Sequence, residues 1–305
     1  MAADHAMQGA LAPVVTPFKA DLSPDAERLI RLCGRLIEQD CGLAVFGTNS
    51  EGNSLSVDEK IALLDRLVEA GLPTERMMPG TGHCAIPDTV RLTRHAVGLG
   101  CGGVLMLPPF YYKGVSDEGL FRAFAETIER VGDDRLRVYL YHIPPVAQVG
   151  IGHDLIARLI DAFPGIVAGI KDSSNDWENT KAMLERFPGW GIFCGAETWL
   201  VDAMRLGARG TISAMCNINA PAIAGLIRDW RSPEAGERQK RVNRFRATVS
   251  RYPTIPALKA VVGRSFEDAE WGRMRPPLVE LTAEQRSGLF ADLDALAAET
   301  QQVPA

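Results

Sequence analysis

A pattern that occurs eight times along the chain most constrains its fold: a short apolar run, a loop, and then an amphipathic helix. The apolar runs occupy residues 11–15, 43–46, 76–78, 103–107, 137–141, 166–170, 191–193 and 210–213. Each run is short and lacks polar alternation, as parallel strands do when both faces of their sheet are covered. The pattern predicts a parallel sheet, and eight units favour a closed (β/α)8 TIM barrel over the alternative, a doubly wound open sheet.

Local signals mark where several of the helices begin and end. Ser56 and Glu59 have the spacing of a capping box. Ser116 can cap the helical segment that follows it, which ends at Gly132. From about Ser232 only helical patterns follow. We therefore predict a barrel with the catalytic site over residues 1–231 and a C-terminal helical extension over residues 232–305.

Composition narrows the classes of function. The 305 residues are 46% hydrophobic and 23% charged with a net charge of -5, which is typical of a globular protein and argues against a nucleic-acid partner. No apolar run approaches the roughly 18 residues of a membrane span, and residues 1–10 do not resemble a signal peptide. The 6 cysteines are scattered, as reduced cytoplasmic thiols are, and the 5 histidines form no zinc-binding run. We expect a cytoplasmic protein without a metal.

Lys171 is the most informative residue for chemistry. It follows the apolar residues 165–170, at the carboxyl end of a predicted strand, where barrel enzymes place their active sites. Burial disfavours a charged amine, and a neutral amine can attack a carbonyl carbon to form a Schiff base. The alternative is a lysine that extends to the rim and pairs with Asp172 or Glu197. Position alone leaves both open.

Two further features lie at the same predicted rim. Tyr141 ends the preceding strand, where its phenol could exchange protons with a substrate or simply pack with a hydrated hydroxyl. Residues 47–52 form a turn with hydroxyls, an amide and free backbone N–H groups, which can hold a carboxylate or merely cap a helix.

Taken together, the motifs resemble those of the dihydrodipicolinate synthase / N-acetylneuraminate lyase family of class I aldolases. Residues 47–51 (Gly-Thr-Asn-Ser-Glu) are similar to the family's G-[ST]-T-G-E. Residues 141–144 (Tyr-His-Ile-Pro) are similar to Y-N-x-P, and residues 169–174 (Gly-Ile-Lys-Asp-Ser-Ser) to G-[IVF]-K-[DE]-[SAT]-[ST]. The similarity runs in order from about residue 9 to the C-terminal helices.

The resemblance implies a role for each matching residue. Lys171 would form the Schiff base and Tyr141 would be the general acid/base. Thr48 would link Tyr141 to a second tyrosine, Tyr111, contributed by a neighbouring subunit, so the protein would be a dimer or a tetramer. The loop is one residue longer than in dihydrodipicolinate synthases, which leaves the adjacent Tyr112 as the alternative relay residue.

The same resemblance implies how the substrate is held. Thr48, Asn49 and Ser50 would bind the substrate carboxylate, and the carbonyl of Ile212 would face the bound pyruvyl group. No cofactor is implied, because the imine to the lysine serves as the electron sink.

Four positions depart from the family pattern. Asn49 replaces a threonine, Ser50 a glycine and His142 an asparagine. Val146 stands where dihydrodipicolinate synthases carry the arginine that binds the carboxylate of aspartate semialdehyde. An aliphatic side chain cannot form that bidentate pair, and Val146 with His142 suits a second substrate that is neutral, hydroxylated or aromatic at its far end.

The leading hypothesis is therefore an aldolase that acts on a 2-oxo acid of the 2-keto-3-deoxy type, with pyruvate as product or donor. A dehydratase that uses the same Schiff base and dihydrodipicolinate synthase itself are the alternative activities. A regulatory protein that binds a 2-oxo acid is the alternative from another class, although it would not need a lysine–tyrosine pair.

Overall fold

A parallel barrel forms the centre of the computed structural model, which describes residues 7–302 of the chain. Its seven strands in that range are β1 Gly9–Ala12, β2 Cys41–Leu43, β3 Val104–Met106, β4 Val138–His142, β5 Val167–Asp172, β6 Gly191–Cys194 and β7 Gly210–Ile212. They form one sheet in the order β2-β1-β7-β6-β5-β4-β3. Every pairing between them is parallel.

The sheet closes through a segment that is not itself a regular strand. Met77 pairs with Leu43 of β2, and Gly80 pairs with Leu105 of β3, each as an isolated parallel bridge. These bridges join the two edges of the sheet, so the predicted TIM barrel is confirmed. Residues 76–78, the third predicted strand, form no regular strand. Pro79 interrupts the hydrogen-bond ladder there, because it has no N–H to donate.

Helices cover the barrel on its outer side. Within the described range they are α1 Ala26–Glu38, α2 Val57–Glu69, α3 Ile86–Gly98, α4 Asp117–Val131, α5 Pro144–Ala147, α6 His153–Ala162, α7 Trp177–Arg186, α8 Leu200–Arg205, α9 Cys216–Arg228, α10 Ala235–Val249, α11 Thr254–Ser265 and α12 Ala283–Gln302. The predicted capping box begins α2, since Ser56 and Glu59 each accept a backbone hydrogen bond from the other. Ser116 caps α4, and Gly132 ends it with φ 62°.

The alternation of side chains along each strand separates two apolar clusters. One lies between the sheet and the helices. The other fills the barrel interior, where Leu11, Tyr139, Tyr141, Phe193 and Ile212 meet. Gly169 has no side chain because a Cβ there would lie 2.1 Å from the Gly191 carbonyl oxygen and against the Tyr139 ring. The interior is therefore packed, and the site lies at its carboxyl end.

The last three helices follow the barrel. Helix α10 packs on α8 and α9, and α11 packs on α9, α12 and the short 3-10 turn Thr48–Ser50. The boundary at residue 231 stays a prediction. None of the helices between residues 7 and 302 is long and apolar enough to cross a membrane.

Candidate active site

Tyr141 and Lys171 lie side by side at the carboxyl end of the barrel. They are register partners on β4 and β5, and both are only 2% exposed. The Lys171 Nζ donates a hydrogen bond of 3.2 Å to the Tyr141 hydroxyl and lies 4.3 Å from the centre of its ring. The amine is thus held in a buried position beside the phenol.

The alternatives for these two residues do not match this geometry. The carboxylate of Asp172 accepts hydrogen bonds from Ser174, Asn179 and Thr180. That of Glu197 binds Ser213 and Arg246. Neither forms an ion pair with Lys171 in the described part of the chain. The Tyr141 hydroxyl is likewise bound by side chains on both sides.

Thr48 completes a line of three polar groups. Its Oγ1 lies 3.1 Å from the Tyr141 hydroxyl. Because that hydroxyl accepts from Lys171, it can donate its own proton to Thr48. The result is an uninterrupted path from the amine through the phenol to a threonine at the edge of the site.

The turn that carries Thr48 is tightly folded. The Gly47 carbonyl accepts from the N–H groups of Ser50 at 3.1 Å and Gly52 at 3.0 Å. Residue 52 must be glycine, because a Cβ there would lie 2.0 Å from the Phe46 carbonyl oxygen. Phe46 and Glu51 both adopt positive φ, at 64° and 54°, an uncommon conformation for residues with side chains. The turn is therefore strained and needs support from around it.

The other residues predicted to bind substrate lie close to this line. Asn49 and Ser50 follow Thr48 in the turn, and the Ser50 backbone carbonyl accepts a 2.7 Å bond from the Thr16 hydroxyl. The Ser50 Oγ is buried and has no protein partner among the described residues. Ile212 ends β7, and its side chain belongs to the same interior cluster as Tyr141.

A buried ion pair that the sequence did not reveal lies beneath the turn. Glu51 accepts from the Nζ of Lys259 in α11, and both side chains are 0% exposed. Lys259 also donates to the Arg273 carbonyl at 2.7 Å, and Glu51 accepts from the backbone N–H of Arg275 at 3.1 Å. The one available signal was a lysine within the otherwise apolar residues 256–262.

Tyr111 and Tyr112 are not part of the line within one subunit. They are 74% and 73% exposed on the loop between β3 and α4 and pack edge to face. Neither forms a described hydrogen bond to Thr48. Val146 on α5 is also largely exposed, at 60%. The relay role of Tyr111 stays a prediction that depends on a second subunit.

His142 lies on the opposite face of β4 from Tyr141, since adjacent residues of a strand alternate. Its Nδ1 accepts from the backbone N–H of Ile151 at 3.0 Å. Burial is the main cause that lowers the pKa of its imidazole, and the charge of Asp172 opposes the shift. The residue therefore orders the chain after α5, and its predicted contribution to substrate preference stays a prediction.

Metal-binding residues do not converge at the site. Among residues 7–302, no group of three or more His, Cys, Asp or Glu side chains is arranged to hold a metal ion. The expectation of chemistry without metal or cofactor stays a prediction.

Comparison with known proteins gives the family. The model of the dihydrodipicolinate synthetase family matches residues 6–296. An uncharacterised DapA-like lyase of Chloroflexus aurantiacus is 32% identical over 297 residues, which cover 96% of this chain and 98% of that protein. A 4-hydroxy-tetrahydrodipicolinate synthase of Thermus thermophilus is 35% identical over 212 residues, or 69% of each chain.

Solved structures agree. The crystal structure of dihydrodipicolinate synthase from Agrobacterium tumefaciens superimposes with a TM-score of 0.88 at 32% identity, covering 95% of this chain and 99% of that one. The fold and the site define a barrel enzyme of the lyase class. The chain belongs to the dihydrodipicolinate synthetase family. The predictions of a lyase and of this family are confirmed.

Proposed function

We propose that the protein is a Schiff-base lyase that cleaves or forms a 2-oxo acid of the 2-keto-3-deoxy type, with pyruvate as the three-carbon unit. The observation that carries this proposal is the line from Lys171 Nζ through the Tyr141 hydroxyl to Thr48 Oγ1, with steps of 3.2 and 3.1 Å. A binding protein needs a cation or donors for a carboxylate, but it has no use for an amine buried against a phenol.

The first chemical step uses this arrangement directly. The neutral amine of Lys171 adds to the ketone carbon, and the resulting carbinolamine loses water to give an iminium ion. Tyr141 supplies the proton that the departing hydroxyl needs, and it is left as a phenolate that can accept a hydrogen bond from Thr48. The Tyr141 hydroxyl already lies within hydrogen-bond distance of the Lys171 amine and the Thr48 hydroxyl.

Cleavage then follows from the iminium ion. The bond between C3 and C4 breaks, its electrons pass to the iminium nitrogen, and an enamine forms. The C4 hydroxyl gives its proton to the Tyr141 phenolate as the aldehyde leaves. Protonation of the enamine carbon and hydrolysis release pyruvate and free Lys171. No external oxidant, reductant or cofactor enters the balance.

The turn and β7 would orient the substrate. The unpartnered, buried Ser50 Oγ offers a donor for the carboxylate, together with Thr48 and the Asn49 amide. The Ile212 carbonyl, at the end of β7, would face the pyruvyl group. These roles follow the family pattern and fit the carboxyl end of the barrel.

A homo-oligomer, a dimer or a tetramer, belongs to the same proposal. Tyr111, Tyr112 and Val146 are exposed large hydrophobic side chains, which an interface would cover. A neighbouring subunit could thereby bring Tyr111 to Thr48. We further propose a cytoplasmic protein, in keeping with six free thiols at the described cysteines.

Two other activities use the same imine. A dehydratase of 2-keto-3-deoxy sugar acids would expel water where the aldolase expels an aldehyde. Dihydrodipicolinate synthase would condense pyruvate with aspartate semialdehyde, and the name of the Thermus thermophilus relative favours it. Release of pyruvate from a panel of 2-oxo acids separates the aldolase from the dehydratase.

Borohydride reduction in the presence of pyruvate tests the imine itself. We expect a reduced pyruvyl adduct on the peptide that contains Lys171, identified by mass spectrometry. Lys181 on α7 provides a matched control, because Lys181→Ala should keep the adduct and Lys171→Ala should lose it. An unmodified wild-type protein, or an equal adduct on Lys171→Ala, would refute the proposal.

A further inference from the structure

We infer that Lys259 of the C-terminal extension is a positioning residue for proton transfer, acting through Glu51 on Thr48. This inference rests on the proposed function, because it concerns the Lys171–Tyr141–Thr48 line. Lys259 does not touch that line. It lies 208 residues from Glu51 in sequence, yet it meets its carboxylate in a fully buried contact.

The ion pair is too costly to be incidental. Each buried charge loses its hydration, and the pair is tolerated only when further hydrogen bonds satisfy it. That condition is met here by the Arg273 carbonyl on Lys259 and the Arg275 N–H on Glu51. Burial is the main cause that lowers the pKa of Lys259, and the Glu51 charge opposes this shift.

The position of Glu51 connects the pair to the catalytic line. Glu51 ends the 3-10 turn Thr48–Ser50 with φ 54° and ψ 32°, and its N–H donates to the Thr48 carbonyl at 3.1 Å. A non-glycine residue in this conformation is strained and persists only when its surroundings stabilise it. The bonds to Lys259 and Arg275 supply that hold.

Arg275, in the C-terminal segment, forms further contacts around the same turn. The Arg275 guanidinium donates to the Ser54 carbonyl, the Leu22 carbonyl and the Glu59 carboxylate. Lys259 also lies 4.5 Å from the centre of the Phe18 ring. Lys259 of α11 and Arg275 therefore both hold the turn in place. Because Thr48 belongs to this turn, the position of its hydroxyl is fixed as well.

Loss of the pair should slow proton transfer and spare imine formation. Lys171 and Tyr141 lie on strands, so their contact does not depend on α11. The Thr48–Tyr141 distance does depend on it, and a displacement of about 1 Å can cost 10²-fold in rate. For Lys259→Met we expect the borohydride adduct on Lys171 to persist. The exchange of pyruvate methyl protons in D₂O at saturating pyruvate, which requires deprotonation, should slow by about 10- to 100-fold.

A double-mutant cycle separates positioning from a general loss of structure. If Lys259 acts through Thr48, then Lys259→Met should slow exchange strongly in wild type and only slightly when Thr48→Val is already present. Arg264→Met is the matched control, since it removes a partly exposed ion pair from the same helix. Folding of each variant is checked by its thermal midpoint and its oligomeric state.

One variant guards against misfolding. Lys259→Met leaves Glu51 buried without its partner, whereas Glu51→Gln with Lys259→Met removes both charges and should fold more readily. The slow exchange should appear in this double variant as well. Proton exchange at the wild-type rate in either folded variant would overturn the inference. So would rate effects of Lys259→Met and Thr48→Val that simply multiply when the two substitutions are combined. A missing adduct on the wild-type protein would instead refute the proposed function and leave the ion pair as a structural feature.

Discussion

Tyr141 and Lys171 are paired in register on adjacent strands, with a hydrogen bond of 3.2 Å between the phenol and the amine. Parallel strands hold such a pair rigidly, because neither side chain can move without disturbing a packed interior. The pair therefore meets the geometric requirement for general acid/base catalysis before any substrate arrives.

Removal of the phenol should impair proton transfer. We expect Tyr141→Phe to slow turnover by roughly 10²–10⁴-fold, the usual contribution of a positioned acid or base. The ring and its packing remain, so pyruvate binding should change little. Steady-state kinetics with a 2-keto-3-deoxy acid, together with thermal midpoints, measure this. Turnover at the wild-type rate in Tyr141→Phe would show that another group moves the proton.

Thr48→Val tests the next step of the line at nearly constant volume. Its hydroxyl lies 3.1 Å from Tyr141, and its loss should lower the rate at saturating substrate more than it changes KM. Thr16→Val is a useful comparison, because that hydroxyl bonds to the Ser50 carbonyl and not to Tyr141. An unchanged rate in Thr48→Val would remove it from the relay.

The two loop tyrosines give a matched pair for the subunit prediction. We expect Tyr111→Phe to slow turnover and Tyr112→Phe to leave it near wild type. Both rings are about equally exposed in one subunit, so a difference between the variants would have to come from assembly. Sedimentation of each variant shows whether the oligomer persists. The reverse order of effects would assign the relay to Tyr112.

Condensation with aspartate semialdehyde should be a minor activity. Val146 offers no partner for the second carboxylate, and Pro144 and Pro145 have no N–H to replace it. Lys113 is the cation beside this segment, but its Nζ donates to the Ala147 carbonyl at 2.7 Å and to the Phe110 carbonyl.

The measurement is a direct comparison of two assays on one preparation, condensation with aspartate semialdehyde and cleavage of 2-keto-3-deoxy acids. A kcat/KM for condensation of about 10⁴ M⁻¹s⁻¹ or above would restore dihydrodipicolinate synthase as the main activity. If condensation is that efficient, Lys113→Met should then abolish it.

Stability should fall as the medium becomes mildly acidic. The His83 Nε2 lies 3.0 Å from Lys60 Nζ, and burial, followed by the Lys60 charge, lowers the pKa of His83 from 6.5 to about 4. Between these pH values the unfolded chain binds the proton and the folded protein does not. The free energy of unfolding therefore decreases as pH falls through this window.

For His83 alone, the free energy of unfolding should decrease by about 1–3 kcal/mol. Urea unfolding of wild type and His83→Gln at neutral pH and near pH 4.5 measures it, with a smaller loss expected in the variant. An identical loss in both proteins would contradict the assignment.

The sequence predicted the barrel because its strands are apolar and regularly spaced, and because its helices carry their own caps. It failed at residues 76–78, where the apolar character is present but Pro79 interrupts the ladder. A hydrophobic pattern records burial and cannot show whether the backbone donors of a segment find partners.

The contact between Tyr141 and Lys171 was predictable for a related reason. Tyr141 and Lys171 end consecutive predicted strands, and consecutive strands of a barrel are neighbours. Lys259 was not predictable in this way, since its contact with Glu51 depends on how a C-terminal helix docks on a distant turn. The contribution of His142 to substrate preference stays a prediction.

Because the barrel closes through isolated bridges, its backbone hydrogen bonding differs between two parts of the sheet. Between β2 and β3 the N–H groups of Met78, Gly80 and Thr81 donate to carbonyls on either side, and the Leu105 N–H donates to the Pro79 carbonyl. By contrast, β4 and β5 share an extended ladder of five paired residues on each strand. Amide hydrogens of this seam should thus exchange with deuterium before those of β4 and β5. The barrel should therefore open most readily along this seam, which β3 separates from β4, so local breathing there can leave the hydrogen bond between Lys171 and Tyr141 intact.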